Sequence, residues 1–238
     1  MSGFRRFFVD EINDETIIEG EEFKHAVGVL RVKVKDKIYL ADGSGKEFVG
    51  EITAINKKDL TVKKIEEHIN ECEPKTDLTL ICGYLKGDKT ELVVQKAVEL
   101  GVNKIVVFSS EYSSAFMNDN KLGRLKRVAL EACKQCGRAK VPSVFYADTF
   151  SKALEFGNDS ENKLFACEFA ENNQANLSKM SGSTAIVIGS EGGFSIKESQ
   201  LANELGYKTV YLGKRILRAE TACIALTAIV MNALGELN

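Results

Sequence analysis

Two patterns of apolar and polar positions divide the chain near residue 73. Before that point, short runs rich in β-branched and aromatic residues are separated by Gly, Asp and Asn-Lys-Lys turns, a pattern that predicts a small β-barrel-like module. One helical segment, from about Glu21 to Leu30, interrupts these runs. The predicted strands are RRFFVD, KIYLADG, EFVGEITAI and DLTVKKIEEHI.

Beyond a linker that contains Pro74, strand-like and helix-like segments alternate. Such alternation predicts a mostly parallel sheet covered by helices on both faces. The first helix should have Asp88 as N-cap, Glu91 at the capping-box position and Gly101 just beyond its end. We therefore expect an α/β chain with two domains, residues 1–72 and 73–238. The predicted strands are LTLICGYL, KIVVFSS, SVFYA, KLFACEF, TAIVIGS and KTVYLG, and the predicted helices are DKTELVVQKAVELG, LGRLKRVALEACKQCGRA, FSKALEF, IKESQLANELG and a last one from about Arg218 to Leu237.

The composition is that of an ordinary globular protein: 238 residues, 44% hydrophobic and 28% charged. The longest apolar run, ACIALTAIV, is much shorter than the ~20 residues that a membrane span requires. The N-terminal residues lack the apolar core of a signal peptide. Six cysteines without framework spacing indicate reduced thiols. We therefore expect a cytoplasmic protein that does not associate with membranes.

The charges are unevenly placed although the net charge is only −2. Residues 121–140 contain seven cations and one acid, and residues 31–37 add four cations against one acid. A locally basic face on a mildly acidic body favours RNA contact. A solvated charged helix face is the alternative explanation for the longer run. The candidate RNA contacts are Arg5, Arg6, Arg31, Arg124, Arg127 and Arg138.

Two glycine-containing turns follow late predicted strands: IGSEGGFS at 188–195 and LGKRILRAETA at 212–222. Neither has the spacing of a dinucleotide fingerprint or of a P-loop. In open α/β sheets, ligands bind outside the carboxyl ends of the strands, so these loops could offer backbone groups to an adenine ring. They could also be tight strand-to-helix connections and nothing more. The two loops together, with Arg218 and Glu220 at the start of the last helix, favour a ligand site.

No metal site is expected. Cys133 and Cys136 lie in a predicted helix, no second cysteine pair has zinc-finger spacing, and the only histidines are His25 and His68.

Several segments, in this order along the chain, resemble the ribosomal RNA small subunit methyltransferase E family of SPOUT-class RNA methyltransferases. The resemblance covers nearly the whole sequence. Ser190 stands where the family usually has proline, which loosens the turn but removes no backbone donor. Cys136 stands where serine is common. The segments are FRRFFVD (4–10), HAVGVLR (25–31), ADGSGKEF (41–48), KTELVVQKAVELGVNKI (89–105), RVALEACKQCGRAKVP (127–142), IGSEGGFSIKE (188–198) and LGKRILRAETACIAL (212–226).

The resemblance implies an N-terminal PUA-like β-barrel that binds RNA, at residues 1–72, and a C-terminal SPOUT α/β domain with a trefoil knot, at residues 73–238. It further implies an obligate homodimer that uses S-adenosylmethionine to methylate N3 of a uridine in 16S ribosomal RNA. The substrate could be free RNA or the assembled small subunit, and the modest net charge favours the assembled subunit. Arg138 could then line the active site of the partner subunit instead of binding RNA. The implied cofactor-binding residues are Ile188, Gly189, Ser190, Glu191, Gly192, Gly193, Leu212, Gly213, Ile216, Leu217, Arg218, Thr221 and Ala222.

The residues suit methylation at N3, which requires loss of a proton and in-line approach but no covalent intermediate. The Pro-Cys pair often used for methylation at C5 is absent. Arg218 is the candidate stabiliser of a uracil anion, and Glu191 and Glu220 are candidates for removing the proton or for holding Arg218. Either glutamate could instead only complement the dipole of a helix N-terminus. Two other functions stay open: a methyltransferase of the same class acting on another ribosomal or transfer RNA base, and a non-catalytic RNA-binding factor in ribosome assembly.

Overall fold

The computed structural model describes residues 4–112, 117–167, 175–178 and 180–237. Its internal contacts separate two compact units. The first consists of Met1–Glu73 together with Cys133–Val141, and the second consists of Pro74–Ala132 together with Pro142–Asn238. A short segment from the middle of the sequence therefore clusters with the N-terminal residues, an arrangement that local sequence patterns do not indicate.

The first unit contains a five-stranded sheet in the order β1-β3-β4-β5-β2, in which β1 and β3 are parallel and the other neighbours antiparallel. Register shifts near Gly50 and Ala54 bend β4 against β5, as β-bulges do, so the sheet curls. The expected small β module is confirmed, as an open curled sheet with β1 and β2 at its edges. The strands are β1 (Arg5–Phe8), β2 (Glu15–Glu19), β3 (Lys37–Ala41), β4 (Glu47–Ile55) and β5 (Asp59–His68).

The predicted helix between β2 and β3 is present, but its second half is wider than an α-helix. It begins as α1 (Gly20–Lys24) and continues as a π-helical turn, His25–Val29, in which the Leu30 N–H donates to the His25 carbonyl at 3.0 Å. Ala26 in this turn and Val32 just after it are buried in the core of the unit. These apolar contacts fix both ends of the turn.

The second unit contains a six-stranded sheet in the order β11-β9-β10-β6-β7-β8, and all of its pairs are parallel. The central strands β6 and β10 are buried along their whole length, which explains why they appear in the sequence as continuous apolar runs. The expected parallel sheet is confirmed. The strands are β6 (Leu78–Gly83), β7 (Lys104–Phe108), β8 (Ser143–Ala147), β9 (Asn162–Ala166), β10 (Thr184–Ile188) and β11 (Lys208–Val210), and the helices are α2 (Lys89–Glu99), α3 (Asp119–Cys136), α4 (Phe150–Glu155), α5 (Ile196–Glu204) and α6 (Ala219–Ala233). The trefoil knot stays a prediction.

The capping box predicted for α2 is wrong. Asp88 occupies the N-cap position, but its side chain accepts no backbone hydrogen bond there. Instead, the guanidinium of Arg124 lies 2.8 Å from Glu91 and 3.9 Å from Asp88, so both acids face a cation from α3. The C-terminal prediction is confirmed, because Gly101 has the left-handed φ of +92° that favours glycine after a helix.

A contact between residues far apart in sequence closes the second unit. The Glu236 carboxylate accepts hydrogen bonds from the backbone N–H groups of Lys75 and Thr76, at 2.9 and 2.8 Å, and from the Thr76 hydroxyl at 2.9 Å. These bonds tie the segment after α6 to the segment that leads into β6.

Over the residues that the structure describes, no helix is both long and apolar enough to cross a membrane. The same residues contain no group of three or more His, Cys, Asp or Glu side chains placed to hold a metal ion. None of the six cysteines, all of which are described, forms a disulfide bond.

Candidate active site

A cavity of about 600 Å³ lies at the carboxyl ends of three neighbouring strands, β9, β10 and β11. Its walls are the loop 188–194, which follows β10, and the segment 210–219, which runs from the end of β11 into α6. Lys89, Ala166, Cys167 and Ala222 complete the lining. The cavity therefore lies at the edge of the sheet where an open α/β fold places its ligands.

Most of the residues predicted to bind a cofactor meet in this cavity. Thr221 is the exception, because it is exposed in the first turn of α6 and is not part of the lining. Sequence reasoning missed other lining residues, among them Lys89, Phe194 and Arg215. The predicted residues that line the cavity are Ile188, Gly189, Ser190, Glu191, Gly192, Gly193, Leu212, Gly213, Ile216, Leu217, Arg218 and Ala222.

The first loop packs so closely on its neighbours that it has little room for side chains. Gly193 has a φ of +68°, and its N–H donates to the Ser190 carbonyl at 2.9 Å. A Cβ on Gly192 would lie 2.7 Å from the Cβ of Tyr112, and a Cβ on Gly83, the last residue of β6, would lie 2.4 Å from the Ser190 backbone nitrogen. The glycines thus permit close backbone approach on both sides of the loop.

Side chains anchor the same loop at both ends. The Ser190 hydroxyl forms a hydrogen bond of 3.0 Å with the Ser110 hydroxyl, a contact that a proline at position 190 could not make. At the other end, Ser195 and Glu198 form a reciprocal capping box at the start of α5. Glu198 also accepts a hydrogen bond from the Glu111 N–H at 3.1 Å. The loop is therefore held in one geometry although it lacks the proline of the family pattern.

Lys89, in the first turn of α2, joins the two glutamates that were candidate catalytic groups. Its ammonium nitrogen lies 3.3 Å from a Glu191 oxygen and 3.5 Å from a Glu220 oxygen. The Lys86 N–H also donates to Glu191 at 3.2 Å. Burial raises the pKa of Glu191, but the backbone N–H groups of Glu191 and Lys86 and the Lys89 ammonium outweigh it and hold that pKa below its usual value of 4.5.

Glu220 reaches the cavity only through Lys89. Its side chain is 13% exposed, it is not part of the lining, and its second carboxylate oxygen is buried without a hydrogen-bond partner. The buried thiol of Cys223 lies three residues further along α6. A hydrogen bond between Cys223 and Cys82, burial, and the charge of Glu220 raise the pKa of Cys223 well above 9.0. The geometry therefore favours Glu220 as a group that holds Lys89 and not as one that contacts a substrate.

Arg218 occupies the N-cap position of α6 and lines the cavity. Its backbone carbonyl accepts a hydrogen bond from the Ala222 N–H at 2.9 Å, which fixes the main chain. Its side chain is exposed and forms no ion pair with any described residue. A guanidinium on a fixed backbone is thus available to a ligand at the mouth of the cavity.

Three of the six candidate RNA contacts are already engaged within the protein. Arg6 is ion-paired with the buried Glu47, and Arg124 binds Glu91. Arg138 is only 2% exposed, and its Nε lies 3.1 Å from Glu73, so the prediction that it faces RNA is wrong. The other three candidates, Arg5, Arg31 and Arg127, are exposed.

Comparison with known proteins gives consistent matches over most of the chain. The family model for an RNA methyltransferase domain matches residues 72–231, and the one for an RNA methyltransferase PUA domain matches residues 18–65. The ribosomal RNA small subunit methyltransferase E of Mesomycoplasma hyopneumoniae is 32% identical over 93% of this chain and 96% of its own length. The Bacillus subtilis protein of the same name is 31% identical over 89% of this chain and 88% of its own.

Solved structures agree with these matches. The ribosomal RNA small subunit methyltransferase E from Neisseria gonorrhoeae, crystallised with S-adenosylmethionine, is 30% identical, with a TM-score of 0.85 and coverage of 98% of both chains. A putative methyltransferase from Legionella pneumophila, also in complex with this cofactor, is 25% identical, with a TM-score of 0.86 over 97% of this chain and 98% of that one.

Proposed function

Because the chain belongs to the ribosomal RNA small subunit methyltransferase E family, we propose that it transfers the methyl group of S-adenosylmethionine to N3 of a uridine in 16S ribosomal RNA. The observation that carries this proposal is the cavity at the ends of β9, β10 and β11, formed by two glycine-containing loops, in a chain that matches a cofactor-bound relative along almost its whole length.

The residues of the cavity suit this cofactor. A volume of about 600 Å³ lies within the usual range for sites that hold a small molecule. Backbone groups of residues 189–193 and 212–213 can pair with the polar edge of an adenine ring, and Ile188, Leu212 and Leu217 can contact its faces. When bound, the cofactor supplies the electrophilic methyl group. The protein holds it, excludes water and prepares the nucleophile.

The nucleophile is prepared by charge placed at the mouth of the cavity. An exposed guanidinium at Arg218 can stabilise the anion that forms when a uracil loses its N3 proton, and so lower the pKa of that proton. Glu191 lines the cavity and Glu220 does not, so Glu191 is the better placed of the two to accept the proton. Glu220, behind Lys89, is a positioning residue in this scheme.

We also propose the partners and the organisation that the family implies. The RNA methyltransferase and PUA matches support a catalytic domain at residues 73–238 and an RNA-binding domain at residues 1–72. A homodimer is supported by exposed apolar side chains such as Ile216 (84%) and Ile229 (44%), which a second subunit could cover. The assembled small subunit as substrate fits a chain whose net charge is only −2. The cytoplasmic location stays a prediction.

Transfer of a tritiated methyl group tests the proposal. The protein is incubated with labelled S-adenosylmethionine and small ribosomal subunits that lack the modification, and the RNA is digested to nucleosides. Labelled 3-methyluridine is the expected product. Label in transfer RNA or in another base would move the protein to a different substrate within the class. A bound cofactor at a hundredfold its Kd should stabilise the folded protein by about 2.7 kcal/mol. If there is neither methyl transfer nor this stabilisation, a non-catalytic RNA-binding factor is favoured.

Arg218→Ala tests the proposed catalytic role. Turnover should be lost while the affinity for S-adenosylmethionine stays near that of the wild type, because the main chain at this position is fixed by its own hydrogen bond. Lys208→Ala is the control, since it removes an exposed cation from the opposite end of β11. Full activity of Arg218→Ala would show that another group stabilises the anion.

A further inference from the structure

A basic loop, defined here as residues 31–37, connects the π-helical turn to β3 in the first unit. Four of its seven residues are cations and one, Asp36, is an acid, so its net charge is +3. All four cations are exposed, and none forms an ion pair with any residue in the described part of the chain. The cations are Arg31, Lys33, Lys35 and Lys37.

Arg31 has a backbone conformation that ordinarily belongs to glycine. Its φ is +53°, and it is the second residue after the π-helical turn, directly after the C-cap Leu30. The N–H of Val32 donates back to the Ala26 carbonyl at 3.1 Å, a pattern like a Schellman motif widened by the π turn. Glycine is the usual residue at this left-handed position, asparagine and aspartate tolerate it, and a long side chain such as that of arginine is strained there.

Lys35 repeats this anomaly four residues later, with a φ of +75°. It is the third residue of a turn in which the Asp36 N–H donates to the Lys33 carbonyl at 3.0 Å. A left-handed third residue is the mark of a type II turn, which normally has glycine or asparagine there. The Lys33 N–H donates to the Asp36 carboxylate at 2.7 Å, which reinforces the turn.

The fold holds the loop in this strained form from both sides. Val32 is buried in the core. On the other side, the Lys35 N–H donates to the Ile52 carbonyl at 2.8 Å and the Ile52 N–H donates to the Asp36 carbonyl at 3.0 Å. These contacts determine the main-chain conformation of the loop. Glycine or asparagine would adopt that conformation with less backbone strain than arginine or lysine. Folding therefore explains neither the arginine at position 31 nor the lysine at position 35, and strain retained under such constraint is typical of functional sites.

We propose that this basic loop binds the phosphate backbone of the ribosomal RNA substrate, with Arg31 and Lys35 held in left-handed geometry to direct their charges outward. This inference rests on the proposed function for its ligand. Phosphate is favoured over a protein partner because the loop offers cations without partners and no aromatic anchor, and because phosphate contacts need charge more than shape. Lys33 and Lys37 add charge to the same surface.

The strain permits a test in which two effects change separately. Lys35→Asn removes the charge and relieves the left-handed strain, whereas Lys35→Gln removes the charge and keeps the strain. The asparagine variant should melt about 2–4 °C above the wild type, and the glutamine variant should not. Both variants should bind protein-free 16S ribosomal RNA more weakly, and the slope of log K against log salt should fall by about 1 in each. Arg31→Asn and Arg31→Gln should behave in the same way.

Lys64→Gln is the matched control, because Lys64 lies in the same unit but is already paired with Asp14 at 3.3 Å. It should leave the salt slope unchanged. The proposal is overturned if the Lys35 and Arg31 variants bind the protein-free RNA with the wild-type salt slope. This holds even if they lose affinity for assembled subunits, because a loss seen only there would indicate a protein contact. It is also overturned if only the asparagine variants lose RNA affinity, since charge would then not be the cause.

Cofactor affinity, measured by calorimetry, separates this inference from the proposed function. The role of the loop alone would be refuted by two results together. The wild-type protein would bind S-adenosylmethionine and transfer its methyl group, and the basic-loop variants would keep the wild-type affinity for RNA. Wild-type protein that neither binds the cofactor nor transfers the group would refute only the proposed function, provided that the basic loop still binds RNA with the expected salt dependence.

Discussion

Gly83→Ala should push the loop 188–194, which follows β10, away from β6. A Cβ at position 83 would lie 2.4 Å from the Ser190 nitrogen, 2.8 Å from the Ser190 Cα and 2.9 Å from the Gly189 carbonyl carbon. Ordinary contact for a Cβ begins at 3.4 Å, so the closest approach is about 1 Å too short. All three atoms belong to the backbone of one loop, and no flexible side chain can yield in its place.

The size of the effect follows from this overlap. Overpacking of a well-packed interior costs about 1–3 kcal/mol, which for a chain of this length lowers the melting temperature by about 2–4 °C per kcal/mol. The loop must also move by roughly the length of the overlap, and a misplacement of ~1 Å at an active site can lower the rate by about a hundredfold. We therefore expect a folded but less stable protein with a weakened affinity for S-adenosylmethionine.

The assay is thermal unfolding with and without cofactor, together with calorimetric titration of S-adenosylmethionine. Gly123→Ala is the matched control. It makes the same chemical change within α3, where an added Cβ meets nothing within 4 Å, and it should stabilise the protein by about 0.5–1 kcal/mol with no change in affinity. If Gly83→Ala kept wild-type stability and affinity, the close contact between β6 and the loop would not exist in solution.

Two further predictions concern the charged cluster beside the cavity. Lys89→Met should destabilise the protein by about 1–3 kcal/mol in urea unfolding, because it leaves Glu220 buried without a cation. Adding Glu220→Gln should recover part of this loss of stability. An equal loss in the double variant would refute the pairing of Lys89 with Glu220. The pKa of Glu191 is lowered in the folded state, so its contribution to stability should be complete above its usual value of 4.5 and should disappear as the pH falls through the lower, folded value. Glu191→Gln should therefore reduce the loss of stability at acid pH. An unchanged loss would show that other carboxylates cause it.

The sheet of the second unit could be predicted from the sequence because buried parallel strands appear as uninterrupted apolar runs. Strand β2 was missed because it is short and has only two buried side chains, Thr16 and Ile18, between exposed neighbours. The π-helical form of residues 25–29 could not be predicted, since it depends on how Ala26 and Val32 fit the core.

The glycine loops of the candidate site could be predicted because backbone conformation leaves a local signature. Lys89 could not, because only the pairing of β6 with β10 brings it to Glu191, and no spacing in the sequence records that contact. The same limit explains Arg138. Helical periodicity places it on a basic face, but the helix ends at Cys136, and Glu73, far away in sequence, buries its side chain.

The hydrogen bonds of Glu236 to Lys75 and Thr76, like the pairing of β6 with β10, join parts of the second unit that are synthesised far apart in time. Domains generally fold from the N-terminus onward as the ribosome extends the chain. Here β6 emerges early but must wait for β10, for the loop that leads into α6 and finally for Glu236. A nascent chain from which residues 188–222 have not emerged therefore lacks most of the cavity lining. Methyl transfer can begin only once these residues have emerged, so RNA cannot be modified before the start of α6 has been made.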